Sequence, residues 1–269
     1  MDPEPLPRRS TPHLTPESLV GRRFGEDTFE GIRVALAGFC PRPRMLDRYS
    51  PRDTHDQYFI HLAPASVERC SHDGVEFLSF THVYGGPVAS ALVEELAYYG
   101  IEYALAYGLA GGLGKGNLGM GDFYLVEEAL AKDGTTPHYT DDRLIPSDGD
   151  LNAKIEELAS NAGLPEFKRV RAATADAIYR EYDDYLEDAR QNDCHIVNCD
   201  SSHLFAVGRA VGVRTTECGV ISDVVRGEDE EPESELALML SSGEERAGAP
   251  LALVGRIVEF YVETLIPEL

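Results

Sequence analysis

Apolar residues along the chain fall into segments of two kinds, which alternate over most of its length. Short, mainly apolar runs are typical of buried strands, whereas apolar residues at every third or fourth position are typical of helices. The predicted strands are 32–38, 74–81, 103–108, 122–127, 168–173, 196–199 and 214–222, and the predicted helices are 88–99, 151–162, 183–192, 201–211 and 251–265.

This alternation predicts the fold class. Strands separated by helices favour an α/β fold, so we expect a mixed, twisted central sheet flanked by helices. We expect a single domain over residues 1–269, in which the proline-rich residues 1–15 form an extended N-terminal arm. The segments 133–149 and 227–234 are polar or acidic and are predicted to be loops, and a glycine-rich turn is predicted over 108–116.

The chain carries a large excess of acidic residues. Asp and Glu number 47 against 24 Lys and Arg, which gives a net charge of −23 at pH 7. Such a field repels the phosphate backbone of nucleic acids and anionic membrane surfaces, so neither is expected as a partner. Because the acidity is spread along the chain, it favours a solvated surface adapted to a salt-rich cytoplasm over a site for a cationic partner.

Cysteines and apolar runs indicate the compartment. The five cysteines are odd in number and lack CxxC spacing, which favours reduced thiols over a disulfide framework or a structural zinc site. Residues 1–15 lack the apolar segment of a signal peptide, and no apolar run is long enough to cross a membrane. We therefore expect a cytoplasmic protein.

The glycine-rich segment 108–114 (GLAGGLG) follows a predicted strand, as nucleotide-binding loops do. It lacks the GxGxxG spacing of a dinucleotide loop, and neither GxxxxGK[ST] nor HExxH occurs in the chain. The sequence therefore predicts no bound cofactor and no metal ion.

Five short segments, ordered along nearly the whole chain, combine glycines with acidic, basic and aromatic residues. They are TPHL at 11–14, GFCPR at 38–42, YGGPVAS at 84–90, YGLAGGL at 107–113 with GD at 121–122, and VNCDS at 197–201 with ISD at 221–223. In order and spacing they resemble the motifs of the nucleoside phosphorylase family, which includes purine nucleoside phosphorylases, uridine phosphorylases and related nucleosidases. The resemblance implies a phosphorylase/hydrolase-like fold and a pentosyltransferase, in which phosphate is the co-substrate and ribose 1-phosphate and a free base are the products.

This reaction needs an anion near C1′ of an oxocarbenium-like ribose and a proton for the departing base. Asp200 stands where the family has its ribose-binding Glu, although Asp also suits the N-cap of the helix predicted from Ser201. Asp223 ends a buried strand, at the edge where ligands bind in α/β sheets. The resemblance makes Asp223 the general acid toward the base, and the alternative is a strand-end Asp bound to loop backbone.

Three further residues line the nucleoside site if the resemblance holds. His13 corresponds to a histidine that reaches into a neighbouring subunit and contacts the ribose 5′-hydroxyl, which implies a homodimer or homohexamer. Tyr84 and Cys199 both stand where the family has Met near the sugar. The alternatives are a solvated histidine and, for Tyr84, packing in the core.

The phosphate site rests on two glycines and one arginine. Gly38 and Arg42 match the family's phosphate loop, and Gly108 can offer a backbone N–H group. The family's second phosphate arginine falls at Ala106 and its Ser or Thr at Leu109, and neither can bind phosphate through its side chain. If the anion pocket is absent and Arg42 is an ordinary surface residue, water becomes the nucleophile and the enzyme is a nucleosidase.

The segment that would contact the base is less specific. Residues 174–179 resemble the family's base-binding segment, but Ala173 stands where Phe stacks on purines. Tyr182 and Asp184 stand where the pyrimidine enzymes have Gln and Arg, so recognition of uracil by those side chains is not available. Asp223 favours a purine base. A uridine-type phosphorylase and a nucleoside-binding homologue without catalysis are the alternatives.

Overall fold

The computed structural model describes residues 12–49, 51–53, 56–225, 233–234 and 249–269. Its strands are β1 Val34–Phe39, β2 Arg52–Asp53, β3 Val67–His72, β4 Val75–Phe80, β5 Tyr103–Gly112, β6 Phe123–Ala131, β7 Leu144–Pro146, β8 Lys168–Thr174, β9 Ile196–Asn198, β10 Arg214–Val224 and β11 Glu233–Ser234. Its α-helices are α1 Pro16–Leu19, α2 Gly86–Tyr98, α3 Gly149–Asn161, α4 Asp183–Gln191, α5 Ser201–Val211 and α6 Pro250–Phe260.

The strands form one mixed sheet in the order β11-β10-β6-β8-β9-β5-β1-β4-β3-β2, with β7 paired to β6. Strand β10 also pairs with β5, so that β5, β10, β6, β8 and β9 close into a ring. The pairs β1–β5, β5–β10 and β6–β8 are parallel, whereas β10–β6 and β5–β9 are antiparallel. The predicted mixed α/β fold class is confirmed.

Two hydrophobic clusters lie on opposite sides of the sheet. Side chains alternate along β5, and accordingly Ala104 and Ala106 belong to one cluster while Leu105 and Tyr107 belong to the other. Helices α2 and α5 cover the first side, and α3 and α6 cover the second. Among the helices in the described segments, none combines the length and apolar character needed to cross a bilayer.

The glycines of β5 continue the strand, whereas a turn was predicted from its first glycine. Gly108 pairs with Gly219 of β10, and the strand ends only at Gly112. A Cβ atom on Gly219 would lie 2.6 Å from the carbonyl oxygen of Gly108, so these strands approach too closely for a side chain. The turn begins later, where Gly114 and Gly116 adopt positive φ angles of 74° and 71°.

Three other predictions differ in detail from the structure. Strand β3 was not predicted, and the predicted loop 133–149 contains β7 and a short 3-10 turn at Thr136–His138. The C-terminal helix was predicted as one segment, but α6 ends at Phe260 and is followed by a π-helical turn at Tyr261–Leu265.

The N-terminal arm and the acidic loop 227–234 lie mostly outside the described residues. Thr15 is extended, with φ −132° and ψ 159°, and it caps the short helix α1. The Ser18 backbone N–H donates to Thr15 Oγ1 at 3.2 Å, and the Thr15 backbone N–H donates to Ser18 Oγ at 2.9 Å. The single-domain arrangement of residues 1–269 stays a prediction.

Helix α2 carries a buried carboxylate, Glu95, whose ionised form is disfavoured by its burial. Glu95 is 4% exposed and accepts hydrogen bonds from the Ile60 backbone N–H at 3.1 and 3.3 Å. Burial raises the pKa of Glu95 from 4.5 to about 7, although the Ile60 N–H opposes this rise. Because the folded pKa exceeds the unfolded one, the protonated carboxyl stabilises the fold at low pH, and this stabilisation is lost as the pH rises through about 7.

Replacing Glu95 by glutamine is therefore expected to flatten the pH dependence of stability. Between about pH 5 and pH 8, we expect the free energy of unfolding to fall by about 2 kcal/mol less in Glu95→Gln than in the wild type. Chemical denaturation across this range measures the difference, and Glu157→Gln on an exposed position of α3 is the matched control. Equal slopes for Glu95→Gln and wild type would contradict the prediction.

Candidate active site

The turn between β9 and α5 places Asp200 in the interior. Asp200 directly precedes α5 and is 4% exposed. Its side chain makes no capping hydrogen bond to the helix, so the alternative reading as a side-chain N-cap is not observed. The Asp200 backbone N–H lies 3.4 Å from Asn198 Oδ1, which fixes the turn from the strand side.

Glu217 of β10 is a second buried carboxylate beside Asp200, and the sequence patterns did not single it out. Its side chain is fully buried and accepts hydrogen bonds from Ser201 Oγ at 2.7 Å, Asn198 Nδ2 at 3.0 Å and Tyr124 Oη at 3.3 Å. One signal was available, because a glutamate inside a predicted buried strand needs polar partners. The sequence could not show that those partners come from β6, β9 and α5.

The two carboxyl groups perturb each other strongly. Burial and the charge of Glu217 together raise the pKa of Asp200 well above its usual value. Burial also raises the pKa of Glu217 to about 7, while the hydrogen bonds from Ser201, Tyr124 and Asn198 favour its ionised form. Near neutral pH, Asp200 is therefore the protonated member of the pair and Glu217 is the member that ionises.

Gly108 borders the space next to both carboxylates. A Cβ atom at this position would lie 3.6 Å from Asp200 Oδ2 and 3.9 Å from Glu217 Oε1. The predicted site residues Gly108 and Asp200 are thus brought together, although they are distant in sequence. The other predicted glycine, Gly38, faces Tyr107 instead, since a Cβ there would lie 2.6 Å from the Tyr107 hydroxyl.

Asp223 lies near the end of β10, opposite Gly111 of β5. Ser222 Oγ donates to Asp223 Oδ1 at 2.8 Å, and burial raises the pKa of Asp223 despite this bond. Burial, followed by the charge of Asp223, raises the pKa of Glu181 to about 7. The site therefore contains a second pair of acids, of which Glu181 was not predicted.

The residues predicted to form the sugar wall lie around Asp200. Cys199 is half-buried, and burial followed by the charge of Asp200 raises its pKa to about 12, so it stays a neutral thiol. Tyr84 is 49% exposed, and its ring meets His82 edge-on at 5.8 Å. Burial, with smaller contributions from Cys40 and Asp200, raises the pKa of Tyr84 to about 12.

Arg42 is held by acids of its own chain. Its Nε donates to both oxygens of Glu68 at 3.0 Å, and its Nη1 donates to Asp47 at 2.8 Å. Two carboxylates thus compensate the charge that was predicted to hold phosphate. His13 is exposed on the segment before α1, and its predicted contact with a neighbouring subunit stays a prediction.

The loop predicted to contact the base is partly anchored. Asp176 Oδ2 accepts a hydrogen bond from the Gly134 backbone N–H at 2.7 Å, so this carboxylate ties two loops together. Tyr179 and Tyr182 are 89% and 59% exposed. Within the described residues, no group of three His, Cys, Asp or Glu side chains is placed to hold a metal ion.

Comparison with known proteins assigns the family. The model of the phosphorylase superfamily matches residues 57–259, and the chain belongs to this superfamily. The matched range contains the site residues from Tyr84 to Asp223, whereas His13, Gly38 and Arg42 precede it.

Two solved structures share the fold. A purine nucleoside phosphorylase from Toxoplasma gondii in complex with immucillin-H matches with a TM-score of 0.66 and 16% identity, over 90% of this chain and 91% of that chain. A uridine phosphorylase from Vibrio fischeri matches with a TM-score of 0.62 and 18% identity, over 73% of this chain and 81% of that chain. At such identities the likeness concerns the fold alone.

Two relatives are similar in sequence. An uncharacterised protein of Acanthamoeba polyphaga mimivirus is 28% identical over 215 residues, which are 80% of this chain and 83% of that protein. A guanosine phosphorylase of Halorubrum lacusprofundi is 26% identical over 195 residues, which are 72% of this chain and 80% of that protein.

Proposed function

We propose that the protein cleaves the N-glycosidic bond of a purine nucleoside with phosphate as acceptor, giving a free base and ribose 1-phosphate. One observation carries this proposal: Asp200 and Glu217 form a buried acid pair beside Gly108. Membership of the phosphorylase superfamily and the similarity to a guanosine phosphorylase support it.

The acid pair suits a reaction in which positive charge develops on ribose. As the bond from C1′ to the base nitrogen breaks, the bonding electrons leave with the base and the ring becomes oxocarbenium-like. A buried negative charge stabilises this cation more strongly than it would in water, because the surroundings are less polarisable. Asp200 would also bind the ribose hydroxyls, with Tyr84 and Cys199 beside the sugar.

Asp223 would supply the proton for the departing base. Burial raises its pKa, which shifts the carboxyl toward the protonated form that a general acid requires. The proton moves from Asp223 to a purine nitrogen as the base leaves, while a phosphate oxygen forms the new bond to C1′.

Phosphate would lie near Gly38, Gly108 and Arg42. Because Glu68 and Asp47 already compensate Arg42, the anion needs further positive charge. We propose that a homodimer or larger homo-oligomer brings this charge together with His13 of a second copy, and that the protein works in the cytoplasm.

Hydrolysis of the same bond is the second candidate function. The pairing of Arg42 with Glu68 and Asp47 favours it, and so do the neutral residues at two positions expected to bind phosphate. Ala106 is fully buried in one hydrophobic cluster, and Leu109 packs against the other.

Base release from guanosine and inosine is expected to require phosphate. In this assay each of guanosine, inosine, adenosine and uridine is incubated with and without phosphate, at low and at high KCl because the chain is strongly acidic. We expect release from the purine nucleosides at least about tenfold faster with phosphate, and a ribose 1-phosphate signal by phosphorus NMR.

Two outcomes would overturn this proposal. Base release at equal rates without phosphate would establish the hydrolase instead. Calorimetric binding of guanosine without turnover under either condition would indicate a binding protein.

A further inference from the structure

The buried carboxylate of Glu217 has no role in the reaction as described so far beyond its charge. It lies on β10, and its three hydrogen-bond donors come from β6, β9 and the start of α5. Burying a carboxylate in this way is costly, because desolvation disfavours the ionised form and hydrogen bonds offset this cost only in part. Replacement by an apolar side chain would satisfy the packing more simply.

We propose that Glu217 is a positioning residue for glycosidic-bond cleavage, which fixes the turn that carries Asp200 and holds a negative charge beside it. This inference rests on the proposed function. Glu217 touches neither ribose nor base, and it acts through Asp200.

Hydrogen bonds tie the turn that carries Asp200 to the Glu217 carboxylate. Asn198 Nδ2 donates to Glu217 Oε1 at 3.0 Å and contacts Ser201 Oγ at 2.7 Å, while Asn198 Oδ1 lies 3.4 Å from the Asp200 backbone N–H. Ser201 Oγ in turn donates to Glu217 Oε2 at 2.7 Å. The residues on both sides of the turn are thus tied to one carboxylate, and the turn cannot move without breaking these bonds.

The charge of Glu217 acts on the titratable groups that face it. A negative charge on Glu217 acts strongly on its neighbours. Its side chain is fully buried, and within the described residues no Lys, Arg or His forms an ion pair with it. The pair therefore carries one negative charge and one proton, and this charge faces the ribose as positive charge develops on it, with no proton leaving the pair. The titratable groups of the described chain that interact with Glu217 are Asp200, Tyr124, Tyr261, Cys199 and Cys218.

The test is the pH profile of kcat/KM for guanosine in Glu217→Gln. Removing the charge of Glu217 lowers the pKa of Asp200, so we expect the inflection due to Asp200 to move to lower pH by about one unit or more. We also expect kcat to fall about 10- to 100-fold while KM for guanosine changes less than about threefold. Glu217→Asp keeps the charge and is expected to retain the wild-type inflection.

A structural role alone predicts a different result. Thr216→Val on the same strand removes a buried hydrogen bond to Asn152 Oδ1 and serves as the matched control, with a lower stability and an unchanged inflection. An unshifted profile for Glu217→Gln would overturn the inference. If Glu217→Gln does not fold, Tyr124→Phe removes one donor that favours the ionised form of Glu217, so it weakens the charge beside Asp200 and is expected to move the inflection to lower pH. An unshifted profile for Tyr124→Phe would overturn the inference equally.

The inference and the proposed function can fail separately. If the wild type shows no turnover, the proposed function is wrong, and the same pH shift is then measured as the pH dependence of guanosine affinity by calorimetry. If turnover is present but the shift is absent, only the role of Glu217 is wrong. If guanosine is neither cleaved nor bound, both are wrong.

Discussion

Replacing Asp200 by asparagine is expected to lower kcat/KM for guanosine by roughly 10³-fold. Asparagine keeps the shape of the side chain and its capacity to contact ribose hydroxyls, but it removes the carboxyl that shares one negative charge and one proton with Glu217 beside the ring. Removing a preorganised electrostatic interaction from a buried site costs about 10²- to 10³-fold in kcat. Steady-state release of guanine at several substrate concentrations separates the loss in kcat from any change in KM.

The fold should survive this substitution. Near neutral pH the wild-type Asp200 is protonated because burial and Glu217 raise its pKa, so a neutral amide resembles the resident group. We expect the thermal midpoint to change little. Asp150→Asn on an exposed position of α3 is the matched control, and its turnover should stay close to that of the wild type. Unchanged turnover in Asp200→Asn would show that the catalytic centre lies elsewhere.

Most of the secondary structure could be predicted because local and tertiary preferences agree. Helix α5 begins and ends where periodicity placed it, at Ser201 and Val211, since the left-handed glycine Gly212 stops it. Strand β5 could not be delimited in this way. A glycine in a turn and a glycine that admits a neighbouring strand look alike in sequence, and only the pairing with β10 distinguishes them.

The site was predictable where ordered motifs carried it. The motifs identified Asp200, Asp223 and Gly108, which the structure places just after β9, near the end of β10 and within β5. Glu217 and Glu181 were missed, because their importance depends on which side chains the fold brings to face them. A lone glutamate between apolar residues has no motif, and its partners lie on other elements.

The same dependence on tertiary contacts affects Arg42. Sequence position alone suggested a free cation near Gly38, whereas the guanidinium is shared between Glu68 and Asp47. Two carboxylates can orient an arginine as well as neutralise it, and the excess of 47 acidic over 24 basic residues makes such pairing common on this chain. The sequence therefore says least about whether turnover depends on phosphate.

Replacing Gly219 by alanine is expected to disrupt the ring of strands and the site together. A Cβ atom on Gly219 would collide with the Tyr124 hydroxyl and ring and would lie 2.6 Å from the Gly108 carbonyl oxygen. Tyr124 is fully buried and cannot swing into solvent, and the Gly108 backbone is fixed by its strand pairing. Overpacking of this kind costs at least about 3 kcal/mol.

This collision reaches the acid pair through Tyr124, whose hydroxyl donates to Glu217 at 3.3 Å. We therefore expect Gly219→Ala to lower the free energy of unfolding by at least about 3 kcal/mol and to impair turnover even where the variant is folded. Denaturant titration and steady-state kinetics on the same preparation measure both effects. The matched control is Gly149→Ala, because a Cβ atom there meets nothing within 4 Å. Wild-type stability in Gly219→Ala would mean that β5 and β10 can separate without cost, and the closed ring of strands would then not be what holds Asp200 against Gly108.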